Sequence, residues 1–371
     1  MQLVDKRILI LSPNFWGDMQ ISKHHYASIL ASLGNEVYFL NPPSLNANFF
    51  EVTKISKNLN VINYKPIFRG GGFLPKFLFD WLVKAQIKYI EFKIGGNIDV
   101  LWSFTTSIYY NLSWFHAKLR IFHPVDQLNN PKKVKIGNEA DIAFTCSEFI
   151  LQELNGLSCP KYLIPHGLSP SFVNYTFEDW SKSDQLNVCY IGNLFIKNLD
   201  RTELKRIIKG HSGHIFHFIG ALDPKDSNIS SWIAEESLSF VKFLEESSNV
   251  VVHGKVASHL IPTVIKNMDA FLVCYVQDKA NVISNSHKIL EYLSTGRVVI
   301  SSFVNQYKGT DLVQMLNEND SEDLHTLFGS VISNIDINNS KENQNQRKEY
   351  AMNNSYRSNV SRIEQSILKL H

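Results

Sequence analysis

The chain has 371 residues, of which 44% are hydrophobic and 19% are charged, and its formal net charge at pH 7 is +2. This composition is typical of globular proteins and excludes an intrinsically disordered chain. The near-neutral charge excludes a polyanion-binding role for the surface as a whole, and the length predicts two domains.

The four cysteines predict buried, reduced thiols, because they form no CxxC pair and no Cys/His cluster with zinc spacing: Cys146, Cys159, Cys189 and Cys274. The apolar residues 8–11 are too few for a signal peptide, and no run approaches the roughly 18 apolar residues of a spanning helix. We therefore expect a cytoplasmic protein that is at most peripheral to a membrane.

Short β-branched runs alternate with helical patterns in the first half of the chain. The predicted strands are residues 7–12, 37–40, 100–103, 119–123, 142–145 and 162–164. They are apolar without alternation, which is typical of buried parallel strands. Residues 23–33 and 147–154 are predicted helices, and Gly34 ends the first of them.

The same pattern restarts after a polar linker at residues 169–186. The second set of predicted strands is residues 188–192, 214–220, 250–253, 270–274 and 298–302. Two doubly wound α/β domains follow from this order, and the Asn- and Gln-rich residues 336–346 are predicted to be a surface connection. If the carboxyl ends of both sheets face each other, a ligand binds in the cleft between the domains.

The most informative segment is residues 285–301. Asn285 or Ser286 caps a predicted helix, whose first amides and dipole favour a diphosphate. Glu291 follows one to two turns later, where its carboxylate accepts hydrogen bonds from ribose hydroxyls, and Gly296 ends the helix. A plain helix with a solvated glutamate remains the alternative.

The segment resembles the donor-binding helix of GT-B glycosyltransferases, commonly written K-L-x-E-Y-L-A-x-G-x-P-V-V. The matching or nearly matching residues are Lys288, Glu291, Tyr292, Leu293, Gly296, Val298 and Val299. The resemblance implies that Glu291 binds the ribose of a nucleotide sugar. It also implies two Rossmann-like domains that face each other across a cleft, with no metal.

Four weaker motifs agree in order with the same family. Residues 190–193 resemble the first strand and loop of the donor domain, where Gly192 lets the backbone approach phosphate and Asn193 follows. Residues 249–254, ending in His253 and Gly254, resemble the strand whose end meets the nucleobase. Residues 140–148 and 162–167 resemble the acceptor-domain motif and the strand before the linker.

Three positions depart from the large retaining family 4. Ile283 stands where that family places a second glutamate, His166 replaces an asparagine, and Val298 replaces a proline. The pattern is closer to glucuronosyltransferase-like and other family 4-like enzymes of bacterial surface-polysaccharide assembly. Retention or inversion of the anomeric configuration therefore stays open.

The catalytic base has three candidates, since an inverting enzyme needs a group that takes the proton of the acceptor hydroxyl. Asp126 follows a predicted strand, Asp18 lies in the loop after the first strand, and His25 begins the next helix. Capping or solvated roles are the alternatives for these residues. Lys197, five residues after Gly192, either binds phosphate as the basic residue of related enzymes does or is a solvated loop lysine. Lys288 is better placed for phosphate, with extension from the helix surface as its alternative.

Residues 51–93 form a basic, aromatic segment with eight Lys or Arg against three acids, a balance of 8 − 3 = +5. The apolar side chains at helical spacing are Phe73, Leu74, Phe77, Leu78, Trp81 and Leu82. They predict either a helix on an anionic membrane or an ordinary core-facing helix with a basic outer side.

The sequence therefore predicts a metal-independent transferase that moves a sugar from a nucleotide diphosphate sugar, with UDP favoured, to a glycan or lipid-linked acceptor. The predicted domains are residues 1–170 for the acceptor and 171–349 for the donor, with a helix at 350–371 that returns to the first domain. An epimerase and a non-catalytic nucleotide-sugar-binding protein are the alternatives. No nucleic-acid-binding motif is present.

Overall fold

A computed structural model of the chain describes residues 1–17, 20–67, 74–107, 109–128, 130–226, 235–277, 287–318 and 323–370. The strands are β1 (Arg7–Leu11), β2 (Glu36–Leu40), β3 (Phe50–Ser56), β4 (Leu59–Tyr64), β5 (Ile98–Ser103), β6 (Ala117–Phe122), β7 (Ile142–Thr145), β8 (Lys161–Leu163), β9 (Asn187–Ile191), β10 (Ile215–Ile219), β11 (Val250–Gly254), β12 (Ala270–Val273), β13 (Val298–Ser301) and β14 (Gln314–Met315). The α-helices are α1 (Ser22–Ser32), α2 (Lys76–Lys93), α3 (Pro131–Val134), α4 (Glu148–Glu153), α5 (Pro170–Val173), α6 (Arg201–Gly210), α7 (Glu235–Glu246), α8 (Ile261–Ile265), α9 (His287–Ser294), α10 (Leu324–Ser333), α11 (Ile335–Asn338), α12 (Lys341–Asn353) and α13 (Tyr356–Leu368).

The chain divides into two compact units, residues 1–166 with 356–371, and residues 167–355. The sequence places these boundaries after residues 170 and 349. Leu168 forms a β-bridge with Ser355, so the segment entering the second unit pairs with the segment leaving it. Helix α13 packs on α1 of the first unit, where Tyr356 stacks on His25 at 4.8 Å between ring centroids.

The first unit is built on an eight-stranded sheet in the order β3-β4-β2-β1-β5-β6-β7-β8. All neighbouring strands are parallel except β3 and β4, which pair antiparallel. Side chains of β1 alternate between two cores, with Ile8 and Ile10 in one and Leu9 and Leu11 in the other. Because both faces of the strand are buried, its sequence is continuously apolar.

The second unit has a parallel six-stranded sheet in the order β11-β10-β9-β12-β13-β14. This is the 3-2-1-4-5-6 order of a Rossmann fold, in which ligands bind where the strand order reverses. That point lies between β9 and β12. Ala270 and Leu272 of β12 face one core while Phe271 and Val273 face the other, so helices cover both faces.

The Asn- and Gln-rich stretch at 336–346, predicted as a surface connection, lies mostly in α11 and α12, with a short connection between these two helices. Two of its amides, those of Asn339 and Gln344, are buried and hydrogen-bonded. Asn339 is 2% exposed, accepts a hydrogen bond from Val298 N at 2.8 Å and donates one to Asp269 O at 2.9 Å. Gln344 accepts hydrogen bonds from Trp180 N and Arg297 Nη1. Buried polar side chains are normally hydrogen-bonded in this way.

Candidate functional site

Three glycines meet at the carboxyl ends of β9, β10 and β11. Gly192 N donates to Ile219 O at 2.8 Å, and Gly220 N donates to Gly254 O at 2.9 Å. A Cβ atom on Gly220 would lie 1.9 Å from Gly192 O, so only glycine fits there. No side chain therefore covers the backbone at these three positions, as close approach of a phosphate requires.

The loop after Gly192 is held by side-chain bonds to its own backbone. Asn193 Oδ1 accepts from Phe195 N at 2.9 Å, which makes a local turn. Arg201, 4% exposed at the start of α6, donates to Leu194 O at 2.9 Å and to Ile196 O at 2.7 Å. Burial lowers the pKa of Arg201, yet the guanidinium keeps its charge. The loop is thus fixed from inside the unit.

The loops after β9 and β12 pair with each other at the point where the strand order reverses. Leu199 forms a bridge with Tyr275, and Asp200 N donates to Cys274 O at 3.1 Å. Asp200 also caps α6, since its side chain accepts from Glu203 N at 2.9 Å.

The hydroxyl group of Tyr292 connects helix α9 to the end of β9 through hydrogen bonds. Tyr292 Oη accepts from Ile191 N at 2.8 Å and donates to Ile191 O at 3.3 Å. The Tyr292 ring stacks on Phe271 with centroids 4.4 Å apart. Gly296 follows the helix with φ of +81°, where a residue with a side chain is strained. These contacts fix which side chains of α9 point toward Gly192.

Lys288 on α9 lies directly over Gly192. A Cβ atom on Gly192 would be 2.8 Å from Lys288 Nζ and 2.5 Å from Tyr190 Oη. The glycine therefore leaves the space that the ammonium group occupies. A cation beside a backbone segment that carries no side chain is suited to bind a diphosphate.

Glu291 is half-buried one turn beyond Lys288. Burial raises the pKa of its carboxyl to about 7, while the charge of Lys288 and a hydrogen bond from the Ser169 hydroxyl oppose that rise. Ser169 is 6% exposed and precedes α5, which packs on α9. The sequence places Ser169 at the start of the polar linker and gives no sign of this contact.

The other predicted donor residues are distributed more widely. Asn285 and Ser286 lie outside the described residues. Lys197 is exposed in the loop after β9. His253 Nε2 and His217 Nδ1 are 3.0 Å apart, and His217 Nε2 lies 3.0 Å from Asn187 Oδ1. Because Asn187 begins β9, this chain of hydrogen bonds runs away from Gly192.

Asp126 in the first unit is exposed, and it lies close to two buried basic side chains, those of Lys23 and His166. Lys23 is 1% exposed, and its Nζ donates to Asn14 Oδ1 at 2.6 Å. Burial lowers the pKa of Lys23, and it lowers the pKa of His166 to about 4; in both cases the charge of Asp126 opposes the shift. The structure thus brings Asp126, Lys23 and His166 together, and the sequence analysis assigned no catalytic role to the latter two.

The two other candidates for the base are His25 and Asp18. Burial and the neighbouring His24 lower the pKa of His25 to about 4, and its ring stacks on Tyr356. His25 is therefore neutral at physiological pH but a weak base. Asp18 lies outside the described residues. Within the described ranges, no group of three His, Cys, Asp or Glu side chains has the arrangement of a metal site.

The fold matches those of solved glycosyltransferases along nearly the whole chain. A sucrose-phosphate synthase from Thermosynechococcus elongatus matches with a TM-score of 0.73 and 13% identity, covering 98% of this chain and 99% of that one. A glycosyltransferase from Rickettsia africae matches with a TM-score of 0.67 and 13% identity over 98% and 99%. Anabaena HepE, solved with UDP and glucose, matches with a TM-score of 0.62 and 12% identity over 98% and 99%.

The chain thus has the α/β fold of two Rossmann-like domains that defines the GT-B class, as the sequence predicts. No protein-family model matches the chain. No curated protein matches it in sequence either.

The raised pKa of Glu291 predicts a pH-dependent stability. The folded pKa is about 7 against an ordinary value of 4.5, so the folded state binds more protons between these values. Stability therefore falls as pH rises through this window, by up to about 3 kcal/mol. We expect Glu291→Gln to stabilise the protein near about pH 8 and to change little near about pH 5.

Denaturant unfolding at both pH values measures the effect, with Glu245→Gln on α7 as the exposed control. An equal effect of Glu291→Gln at both pH values would show that the carboxyl titrates normally.

Proposed function

We propose that this protein is a glycosyltransferase that transfers a sugar from a UDP-sugar to a saccharide acceptor. The observation that carries the proposal is the placement of Lys288 over Gly192, with Glu291 one turn further, at the carboxyl end of β9. In this arrangement the Lys288 ammonium group binds the diphosphate, Gly192 leaves room for it beside the backbone, and the Glu291 carboxylate accepts hydrogen bonds from the ribose.

The chemistry requires stabilisation of a leaving group and removal of one proton. The bond between the anomeric carbon and the diphosphate breaks, and negative charge develops on the departing nucleotide. Lys288 stabilises that charge where it appears. The acceptor oxygen forms the new bond and loses its proton, and we assign the base to Asp126, because it is exposed and ionisable in the first unit.

UDP is the favoured nucleotide because solved proteins of this fold carry it. HepE was solved with UDP and glucose, and an E. coli trehalose-6-phosphate structure, with a TM-score of 0.67 and 9% identity, was solved with UDP-2-fluoro glucose. For the acceptor, we propose a glycan or lipid-linked saccharide of surface-polysaccharide assembly. The motif pattern of residues 285–301 supports this assignment. We place the enzyme in the cytoplasm, at the inner face of the membrane.

Nucleotide binding tests the donor site. UDP is expected to raise the melting temperature more than GDP or ADP, since a ligand at 100 times its dissociation constant adds about 2.7 kcal/mol. Glu291→Ala should weaken UDP binding by about ten- to hundredfold, because a shielded hydrogen-bonding carboxylate is worth roughly 1–3 kcal/mol. Titration calorimetry measures this, with Glu245→Ala as the control. Unchanged UDP affinity in folded Glu291→Ala would rule out the ribose contact.

Replacing Asp126 separates chemistry from binding. Asp126→Asn should leave UDP affinity unchanged and reduce sugar transfer by about 10²–10⁴-fold, as loss of a general base does. The exposed Glu139→Gln in the same unit is the control.

Release of UDP-sugar products without an acceptor would instead indicate an epimerase. Wild-type binding without any turnover across acceptors would indicate a binding protein.

We also propose that transfer needs no metal. The sequence has no Asp-x-Asp pair to hold Mg²⁺ or Mn²⁺, and Lys288 offers the charge that such an ion would supply. Full activity is expected in EDTA, measured as sugar transfer before and after addition of Mn²⁺. Activity that EDTA abolishes and Mn²⁺ restores would refute this part of the mechanism.

A further inference from the structure

One face of helix α2 leaves large aromatic side chains in solvent. Val83, Ile87 and Ile90 on the inner face are 0% exposed and belong to the core of the first unit. On the outer face, Phe77 is 76% exposed and Trp81 is 63% exposed. The sequence left open whether this helix faces only the core, and the structure shows two apolar faces.

The outer face is a single row along the whole helix. Its members are Phe77, Trp81, Lys84, Lys88 and Phe92, which we call the α2 row. Their spacings of four, three, four and four residues keep them on one side of an α-helix. Phe92, at the far end, is 78% exposed. At 1.5 Å per residue the row is about 22 Å long.

The charge presented beside the row is positive, because both carboxylates of the helix are bound to neighbours. Asp80 accepts hydrogen bonds from Lys76 Nζ at 2.7 Å and from Tyr110 Oη. The Glu91 side chain is 8% exposed and accepts from His116 N at 2.7 Å, with His116 Nδ1 2.9 Å away.

The apolar surface continues from α2 onto the edge strand β3. The Tyr89 ring lies 5.2 Å from the Phe49 ring and 5.6 Å from the Phe50 ring. Phe49 is 55% exposed and Val52 on β3 is 44% exposed. Lys93 Nζ lies 5.6 Å from the Tyr89 ring. The exposed apolar surface, with Lys93 beside it, thus extends beyond the α2 row.

We propose that the α2 row lies flat on an anionic lipid bilayer, with its aromatic rings between the headgroups and its lysines at the lipid phosphates. Helices of this kind bury an apolar face in the interface and bind anionic lipid through Lys and Arg. The core of a protein–protein interface is instead depleted of lysine. No helix among the described residues is long and apolar enough to cross a membrane.

The docking surface deepens the proposed function, because its link to a lipid-linked acceptor rests on that function. Docking itself needs neither donor nor acceptor. Binding to lipid without transfer would therefore refute the function and keep the docking surface. Transfer to a soluble acceptor without lipid binding would support the function and refute the docking surface.

Vesicle flotation of the full chain tests the docking surface. Wild type should bind vesicles of phosphatidylcholine mixed with phosphatidylglycerol and bind pure phosphatidylcholine much more weakly. Binding should fall with salt, because the Debye length shortens from about 10 Å at 0.1 M to about 3 Å at 1 M. Lys84→Glu/Lys88→Glu should weaken binding by at least about 25-fold, at roughly fivefold per lysine. The control Lys242→Glu/Lys266→Glu, on exposed sites of the second unit, should bind like wild type.

A second variant tests the contribution of the aromatic side chains of the α2 row. Phe77→Ser/Trp81→Ser/Phe92→Ser should keep the fold, because these side chains are exposed, and should lose binding even at low salt. Equal wild-type binding to both vesicle types, or no effect of the double lysine change, would overturn the proposal. So would a dimer that the triple aromatic change dissociates while vesicle binding persists, since the row would then bind a second copy.

Discussion

The close contact between Gly192 and Gly220 is the constraint on which the candidate donor site depends. A side chain at position 220 would collide with the carbonyl of Gly192, so the ends of β9 and β10 can meet only without one. Tyr292 then ties α9 to the same strand end through both backbone groups of Ile191. The position of Lys288 follows from these two contacts, since its ammonium group fills the space beside Gly192.

The buried carboxyl group of Glu291 lowers the stability of the folded protein when it is ionised. A carboxyl whose pKa is raised to about 7 by burial is costly to ionise, and a glutamine there would avoid the cost. The partners that favour the charge are Lys288 and the Ser169 hydroxyl, both within the second unit. Residues that cost stability without structural need are typical of binding and catalytic positions. The burial of Glu291 therefore supports the same role as the motif around it.

The sequence predicted the parallel strands and α9 well, because buried runs such as that of β1 and glycines such as Gly34 and Gly296 are local signals. It missed the β3–β4 hairpin, since β3 is an exposed edge strand in which Lys54 and polar residues interrupt any apolar run. It also missed Ser169, which reaches Glu291 only through packing of α5 on α9. Long-range contacts of this kind leave no periodic pattern in the sequence.

Helix α2 shows why periodicity alone does not settle the role of an apolar helix. Its sequence carries two apolar faces, and either one has the spacing of a core-facing stripe. The sheet of the first unit covers Val83, Ile87 and Ile90, so these side chains contribute to folding. Phe77, Trp81 and Phe92 contribute little to that core, because most of their surface stays in water. Aromatic side chains that folding does not bury, on either side of two lysines along the α2 row, fit a surface that binds something anionic and apolar at once.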